Sequence, residues 1–234
     1  MDFKIELEDE FEDIVGKAES GLGKKVTSLE LNVVCKELNL NLKALKKIKD
    51  KKYFPEEYNF NSDDDLKVER IQVKFYEGFV NSYLLIKDNK CVVIDTCGDA
   101  DSVIEKIESL RLKPEFILLT HGHNDHTGGL GEIEDFYKIK VNKKDEIKFE
   151  GCKITRIPVP GHTNDSVAFC VDKFLFVGDL IFAGSLGSGS FSYKKLLESF
   201  KKILSLNKDY FIFPGHGPST TIEQERENNA FNNS

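Results

Sequence analysis

The chain has 234 residues, 40% of them hydrophobic, which is enough to bury the core of one ordinary domain and a small appendage. No apolar run approaches the roughly 20 residues that a membrane-spanning helix needs. The acidic start of the sequence lacks the basic and apolar regions of a signal peptide, so a cytoplasmic protein is expected. A formal net charge of -7 and five scattered cysteines argue against general nucleic-acid binding, a disulfide framework and a thiolate zinc site.

Residues 1–66 are predicted to form a small all-α module, because their apolar residues follow helical spacing. The two clearest runs are Leu31, Val34, Cys35 and Leu38, and, after a short turn, Leu42, Leu45 and Ile48. This arrangement resembles a helix-turn-helix unit, and residues 36–52 carry seven lysines against two acids. No arginine or glutamine occurs there to read bases, and the flanks are acidic, so DNA binding is not expected. A cap on the rest of the chain or a homodimer contact is the expected role.

Residues 67–234 are predicted to form a separate α/β (α+β) domain, because runs of strands alternate with helices. In chain order the patterns predict three strands within 70–99, a helix near 99–112, a buried strand in EFILLT and a short helix near 126–136. A hairpin follows within 137–159. Strands in SVAFCV and FLFVG, a helix in SYKKLLESFKKILSL and a last strand in YFIFPG complete the pattern.

All five histidines of the chain are predicted to lie in turns at strand ends, where α/β folds collect their functional groups. His121 and His123 are two residues apart at the end of a strand and can point toward one ion. Asp125 and His126 follow at the start of a helix and can face a second ion. The other candidates come from later strand ends, namely His162 in PVPGHTNDS, Asp179 in FLFVGDLIF and His216 in FPGHGPS.

The segment HGHNDH resembles the H-x-H-x-D-H signature of the metallo-β-lactamase superfamily. The resemblance covers about residues 70–226 and implies an αβ/βα four-layer sandwich. It also implies a first metal held by His121, His123 and His162, a second held by Asp125, His126 and His216, and a bridging Asp179. Asp95 in IDTCGD is implied to brace the site without binding metal. Zinc is the expected metal, with iron or manganese as alternatives.

GDLIFAGSLG and FPGHGPSTTIEQER resemble the short hydroxyacylglutathione-hydrolase-like, glyoxalase II-related branch. This chain departs from that branch in three places: Ser188 stands where arginine is usual, GHTNDS stands where GHTPGS is usual, and 18 residues follow His216, too few for a glutathione-binding helical domain. Glutathione specificity is therefore not expected.

The implied ligand set predicts a hydrolase that acts on a small thioester, lactone or ester. The attacking group would be a water shared by the two ions. Asp125 is the candidate for orienting that water and collecting its proton. Two alternatives stay open. One is an iron-dependent persulfide dioxygenase of the same superfamily, and the other is a DNA-binding regulator that uses the metal domain as a sensor.

Overall fold

The computed structural model describes residues 6–26, 30–53, 55, 65–76 and 78–233, and its larger part is built from two facing β-sheets. The first sheet has the order β1-β2-β3-β4. Its strands are β1 (Lys67–Phe75), β2 (Gly78–Lys87), β3 (Lys90–Ile94) and β4 (Lys113–Leu118). β1, β2 and β3 pair antiparallel, whereas β4 joins β3 in parallel. A parallel pair needs a crossover, and helix α4 (Ala100–Ser109) supplies it.

The second sheet has the order β12-β11-β8-β7-β6-β5. Its strands are β5 (Glu146–Phe149), β6 (Cys152–Pro158), β7 (Val167–Val171), β8 (Phe174–Gly178), β11 (Phe211–Pro214) and β12 (Thr220–Thr221). Helix α7 (Tyr193–Leu204) connects β8 to its parallel neighbour β11. A short pair, β9 (Ile181–Phe182) and β10 (Ser185–Leu186), lies between β8 and α7 in the chain.

Three hydrophobic clusters define four layers. The central cluster lies between the sheets and contains Tyr83 and Ile94 of the first and Phe169, Phe176 and Phe213 of the second. A second cluster joins the outer face of the first sheet to α4 and to α6 (Leu130–Tyr137). A third joins the outer face of the second sheet to α7 and to α8 (Ile222–Asn228). This order of layers confirms the predicted αβ/βα sandwich.

Helix α7 shows how the sequence specifies an outer layer. Ser192 caps its first turn by accepting a hydrogen bond from the amide of Lys195. Leu196, Phe200 and Ile203 then recur with helical spacing, and all three are fully buried against the second sheet. Each such side chain contributes about 1.5–3 kcal/mol on burial, so packing outweighs the modest helix propensity of the segment.

The N-terminal residues form α1 (Glu6–Leu22), α2 (Leu31–Leu38) and α3 (Leu42–Lys49). They pack on the α7–α8 side of the sandwich, and Ile14, Leu38 and Ile48 lie in the same hydrophobic cluster as Phe200 and Ile222. Polar contacts reinforce this packing. The amide of Asn41 donates to the carbonyl of Ala230 at 2.7 Å, and Lys47 Nζ donates to Asn228 Oδ1 at 2.6 Å.

A buried carboxylate joins the N-terminal helices to α8. Glu225 accepts hydrogen bonds from the hydroxyls of Tyr53 and Thr220, the amide of Gly184 and the side-chain amide of Asn229. Because the helices share core and polar contacts with the sandwich, they cap it, which is one of the expected roles. The division into domains at residue 66 stays a prediction.

The predicted elements are found with few changes. The short helix near 126–136 is two helices, α5 (Asn124–Thr127) and α6, and the predicted hairpin comprises only β5 and β6. Within residues 137–145, Val141 forms an isolated parallel β-bridge with Ile117. The sequence patterns did not identify α1, α8 or the short strands β9, β10 and β12 individually. Across the described residues, no helix combines the length and apolar character needed to cross a membrane.

Candidate metal centre

The loop after β4 carries the histidine-rich segment and is fixed to the end of β3. The amide of Asp95 donates to the carbonyl of Leu118 at 2.9 Å, and the amide of Thr96 donates to the carbonyl of His126 at 2.8 Å. A Cβ added at Gly128 would lie 2.9 Å from the Cα of Gly98. Glycine is therefore required for the close approach of the two segments.

The first cluster contains His121, His123 and His162, whose ligand atoms lie within 4.8 Å of one another. His123 Nδ1 is 3.1 Å from His121 Nε2 and 2.9 Å from His162 Nε2. Ligands at about 2.0–2.2 Å around one tetrahedral zinc ion would lie roughly 3.3–3.6 Å apart, so small shifts would fit these nitrogens to one ion. His121 and His162 are buried, whereas His123 is exposed at the rim.

The second cluster contains Asp125, His126, Asp179 and His216, also within 4.8 Å of one another. His126 Nε2 lies 3.3 Å from Asp179 Oδ1 and 3.7 Å from Asp125 Oδ2. His216 Nε2 lies 3.3 Å from Asp125 Oδ2. The segment 121–126 therefore contributes to both clusters, and the later strand ends complete them.

Asp179 stands between the two clusters. Its Oδ2 atom is 3.5 Å from His162 Nε2 in the first cluster and 3.5 Å from His216 Nε2 in the second. Its Oδ1 atom faces His126. One carboxylate thus reaches both groups of nitrogens, which is the geometry that a bridging ligand requires.

The outer nitrogens of three imidazoles are bound to oxygen acceptors. His126 Nδ1 lies 2.8 Å from Asp95 Oδ2, His162 Nδ1 lies 3.0 Å from the carbonyl of Ser188, and His216 Nδ1 lies 2.7 Å from the carbonyl of Phe79. A carbonyl or carboxylate oxygen accepts only, so Nδ1 carries the proton in each ring. The Nε2 lone pair of a neutral ring then points into the cluster, as a metal ligand needs.

Asp95 orients this segment through both of its oxygens. Oδ1 accepts from the amide of Thr120 at 2.7 Å, and Oδ2 accepts from the hydroxyl of Thr120 at 2.7 Å as well as from His126. The Asp95 backbone is left-handed, with φ of 57°. The geometry agrees with the bracing role that the resemblance implied for this residue, although that role stays a prediction.

The donor set fits a bound cation. His126 Nε2 and Asp179 Oδ1 are buried, and neither makes a hydrogen bond to any residue that the structure describes. They lie 3.3 Å apart without hydrogen-bond geometry, so both atoms face a common space. A Cβ added at Gly215 would lie 2.6 Å from His126 Cε1, so this glycine keeps that space open. Unpaired buried polar atoms of this kind are costly unless an ion satisfies them.

Burial keeps two imidazoles of the first cluster neutral. Desolvation, assisted by the nearby His126, lowers the pKa of His121 to about 4. Desolvation also lowers the pKa of His162 below its ordinary value. Neutral imidazole is the form that binds a metal, so these two side chains need lose no proton at neutral pH.

The carboxylates at the second cluster raise the pKa values of its two imidazoles. Burial alone would lower the pKa of His216, but Asp125 and Asp179 outweigh it and raise the pKa to about 10. Burial likewise opposes charge on His126, and Asp95 and Asp179 hold its pKa well above the ordinary value. The acidic side chains thus favour positive charge at these two rings. A divalent cation at this position would supply the same positive charge.

A family model described as the metallo-beta-lactamase superfamily matches residues 75–153 and 145–216. These matches span both sheets and include all seven residues of the two clusters. The chain belongs to the metallo-beta-lactamase superfamily. Within it, the similar curated proteins place the chain among the glyoxalase II-like metallo-hydrolases.

The hydroxyacylglutathione hydrolase GloC of Haemophilus influenzae is 32% identical to this superfamily member, over 66% of this chain and 93% of GloC. The chain spans 66% or less of the length of the longer hydroxyacylglutathione hydrolases that it matches. The crystal structure of the BLEG-1 B3 metallo-beta-lactamase is 26% identical, with a TM-score of 0.65 over 71% of this chain and 100% of that one. The di-iron-bound form of TTHA1623 is 26% identical, with a TM-score of 0.61 over 68% of this chain and 98% of that one.

The structure brings together every site residue that the sequence singled out, although their roles as metal ligands stay predictions. The sequence did not identify Thr120, which bonds to Asp95 and lies 3.1 Å from His121 Nδ1 through its hydroxyl. It also did not identify the carbonyls of Phe79 and Ser188. Every residue has a carbonyl, so no sequence pattern marks these two, whereas Thr120 adjoins the histidine segment and could have been considered.

Proposed function

We propose that this superfamily member hydrolyses acyl thioesters, or lactones and esters of similar reactivity, with two divalent metal ions. The observation that carries the proposal is the position of Asp179 Oδ2, 3.5 Å from an imidazole nitrogen of each cluster. A donor set joined in this way suits two adjacent ions better than one.

The residues of the two clusters would hold the ions as follows. His121, His123 and His162 would hold the first, Asp125, His126 and His216 the second, and Asp179 both. When bound, two divalent ions supply an activated water and the Lewis acidity that polarises a carbonyl. Imidazole and carboxylate ligands suit zinc, which we propose, and they also suit iron and manganese. The di-iron-bound TTHA1623 gives iron particular support as the alternative.

The protein side chains would orient the reaction. We propose that the Asp125 carboxylate, half-buried beside His216, aligns the attacking water and receives its proton. Asp95 would keep the His126 ring in the tautomer that presents Nε2 to the ion. The buried positions of His121 and Asp179 exclude bulk water from the floor of the site.

The leaving group sets the substrate class. All five histidines of the chain belong to the clusters, so no imidazole is left to protonate a leaving group. A thiol has a reference pKa of about 8.5 and departs as thiolate without a dedicated acid, whereas an amine does not. Thioesters are therefore favoured over amides. The names of the hydroxyacylglutathione hydrolases, which act on a thioester of glutathione, support the same class.

The test uses the full chain stripped with a chelator and reconstituted separately with zinc, iron or manganese. We expect about two ions per chain and release of free thiol from simple acyl thioesters at the same rate with and without oxygen. His121→Ala serves as the blank. One iron per chain with oxygen uptake would instead indicate the persulfide dioxygenase alternative, and no thiol release above the blank with any metal would refute the hydrolase proposal.

Further predictions belong to this proposal. The value of kcat/KM for S-lactoylglutathione is expected to lie below the roughly 10⁴–10⁸ M⁻¹s⁻¹ range of ordinary enzymes on their own substrates. A small-molecule substrate is expected to be the physiological partner, and sequence-specific DNA binding is not expected in a gel-shift experiment. A cytoplasmic location and a homodimer stay predictions, which cell fractionation and solution scattering would check.

A further inference from the structure

A cavity of about 620 Å³ lies between helix α1 and the loop that leads into α7. Asp13, Lys17 and Ser20 line one wall, and Ser188, Ser190 and Tyr193 line the other. Pockets that hold small molecules have volumes of roughly 300–1,000 Å³, so this cavity has the size of a ligand site. Its lining is largely polar, which suits a ligand with charged or hydrogen-bonding groups.

Residues on both walls of the cavity lie close to the metal clusters. On the loop side, the backbone carbonyl of Ser188, one of the lining residues, accepts the hydrogen bond from His162 Nδ1 at 3.0 Å. On the helix side, Lys17 Nζ lies 5.1 Å from the centre of the Phe182 ring. The Phe182 ring in turn meets the His216 ring edge-on, with centres 5.6 Å apart. Because the Phe182 ring contacts both residues, Lys17 Nζ lies at most about 11 Å from the centre of the His216 ring, a span that a small acyl substrate with a carboxylate on a short chain can bridge.

Among the described residues of the cavity lining, Lys17 carries the positive charge. Its side chain is only 17% exposed, and its ammonium contacts Asp13 Oδ2 at 2.5 Å, whereas the Asp13 side chain is 50% exposed. An ion pair with one half-exposed partner is weak, because water and salt compete for that partner. A ligand carboxylate that enters the cavity would replace the exposed Asp13 as the partner of the Lys17 ammonium. The new ion pair would be less hydrated.

Helix α1 is held rigidly enough to define this wall. Ile14 and Ala18, on either side of Lys17, are 1% and 0% exposed in the core shared with α7. A Cβ at Gly21 would enter the ring of Tyr193, so α1 and the start of α7 are in close contact there. Lys17 thus projects from a packed helix, and its position relative to the clusters is fixed by the core.

We propose that Lys17 binds an anionic group of the substrate, so that the preferred substrate of the site is a small acyl thioester or ester, shorter than a glutathione conjugate, that carries a carboxylate close to its reacting carbonyl. The hydroxyls of Ser20 and Ser190 lie in the same lining and provide further hydrogen-bond donors. The inference rests on the proposed function, because it names the substrate class of that site. It adds that an N-terminal helix, outside the region matched by the family model, determines specificity.

The kinetic test compares pairs of substrates that differ only in charge. One pair carries the charge on the thiol, as S-acetyl-3-mercaptopropionate and its methyl ester, and the other carries it on the acyl group, as a succinyl thioester and its methyl ester. The measured quantity is kcat/KM of the charged substrate divided by kcat/KM of its neutral methyl ester. We expect Lys17→Met to lower this charged-to-neutral ratio about tenfold in at least one pair. The change should lie mainly in KM, since binding that is equal in ground and transition states affects KM alone. Asp13→Asn should raise that ratio about two- to fivefold by removing the competing carboxylate.

Two matched variants separate charge from folding. Lys17→Arg keeps the positive charge and should restore the ratio, whereas Lys36→Met removes an exposed lysine of α2 and should leave it unchanged. An unchanged ratio in both pairs for Lys17→Met would overturn the proposal. A change of equal size in Lys36→Met would also overturn it, because a general effect of net charge would then explain the result.

A binding measurement tests Lys17 without turnover. Titration calorimetry of the metal-loaded full chain would compare succinamate, which carries one carboxylate, with the uncharged succinamide. We expect tighter binding of succinamate, and we expect Lys17→Met to remove that preference. If no thioester were hydrolysed but the preference depended on Lys17, the function would be wrong and the anion site correct. If hydrolysis occurred and succinamate showed no Lys17-dependent preference, the anion site would be wrong.

Discussion

Replacement of Asp95 by asparagine tests how the protein prepares the second cluster. Asparagine tolerates the left-handed backbone at this position, where φ is 57°, and its carbonyl can still accept from the Thr120 amide. Its amide group, however, would then face the Thr120 hydroxyl and His126 Nδ1, which now donate to Asp95 Oδ2 at 2.7 and 2.8 Å. Two donors cannot share a hydrogen bond, so His126 would move its proton to Nε2 and lose the lone pair that faces the cluster.

The size of the effect follows from that change. Residues that orient a metal-bound histidine contribute about 10–100-fold to metal affinity, which corresponds to roughly 1.4–2.7 kcal/mol. We expect Asp95→Asn to lower the metal affinity of the site that contains His126 by this amount. The affinity of the other site, built on His121, His123 and His162, should change by less than about threefold. Turnover at limiting metal should fall in the same proportion.

Competition with a chelator of known affinity would measure both sites, and circular dichroism would verify that the variant is folded. Asp99→Asn is the matched control, since it makes the same chemical change at the cap of α4, where asparagine also caps well. Should Asp95→Asn bind two ions with the affinity of the unmodified chain, the assigned tautomer of His126 and the bracing role of Asp95 would both be refuted.

Three other substitutions have expected outcomes. Asp179→Ala should lower metal content and thioester turnover together, the latter by at least about 100-fold. If elemental analysis found the full number of metal ions in this variant, the bridging role would be contradicted. Gly215→Ala should displace Asp179 or His126 and lower activity at least about tenfold, whereas Gly131→Ala, in open space on α6, should not. Tyr53→Phe removes one donor from a buried carboxylate and should lower the free energy of unfolding in urea by about 1.5–3 kcal/mol. The control Tyr76→Phe, at a residue 85% exposed, should change it by less than about 0.5 kcal/mol.

The sequence predicted most of the sandwich because its strands and helices have strong local signals. The helix α7 has regular apolar spacing, the strand β4 ends in a continuous apolar run, and both were found close to the expected positions. The short strands β9 and β12 have only two residues each, so no periodic pattern can develop in them. Their pairing depends on neighbours distant in the chain, which local spacing does not encode.

The candidate site was predictable for a different reason. His121, His123, Asp125 and His126 lie within six positions, so their chemistry is visible without any knowledge of the fold. Asp179 is an ordinary aspartate in the sequence, and only the parallel pairing of β8 with β11 brings it beside His216. The resemblance to a known family implied the bridging role of Asp179, which periodicity alone would not have done.

The N-terminal helices show where sequence reasoning has least information. The lysines of α3 left a DNA-binding regulator open as an alternative to the expected cap, whereas Leu45 and Ile48 of that helix are buried in the shared core and Lys47 bonds to α8. In α1, Lys17 is an unremarkable charge until the helix is placed on the sandwich, where it lines the cavity beside the clusters. The apolar contacts of Ile14 and Ala18 that hold α1 in place are therefore also what fix the Lys17 ammonium relative to the site. Stability of the N-terminal helices and recognition of a charged substrate are consequently coupled, because one set of buried side chains serves both.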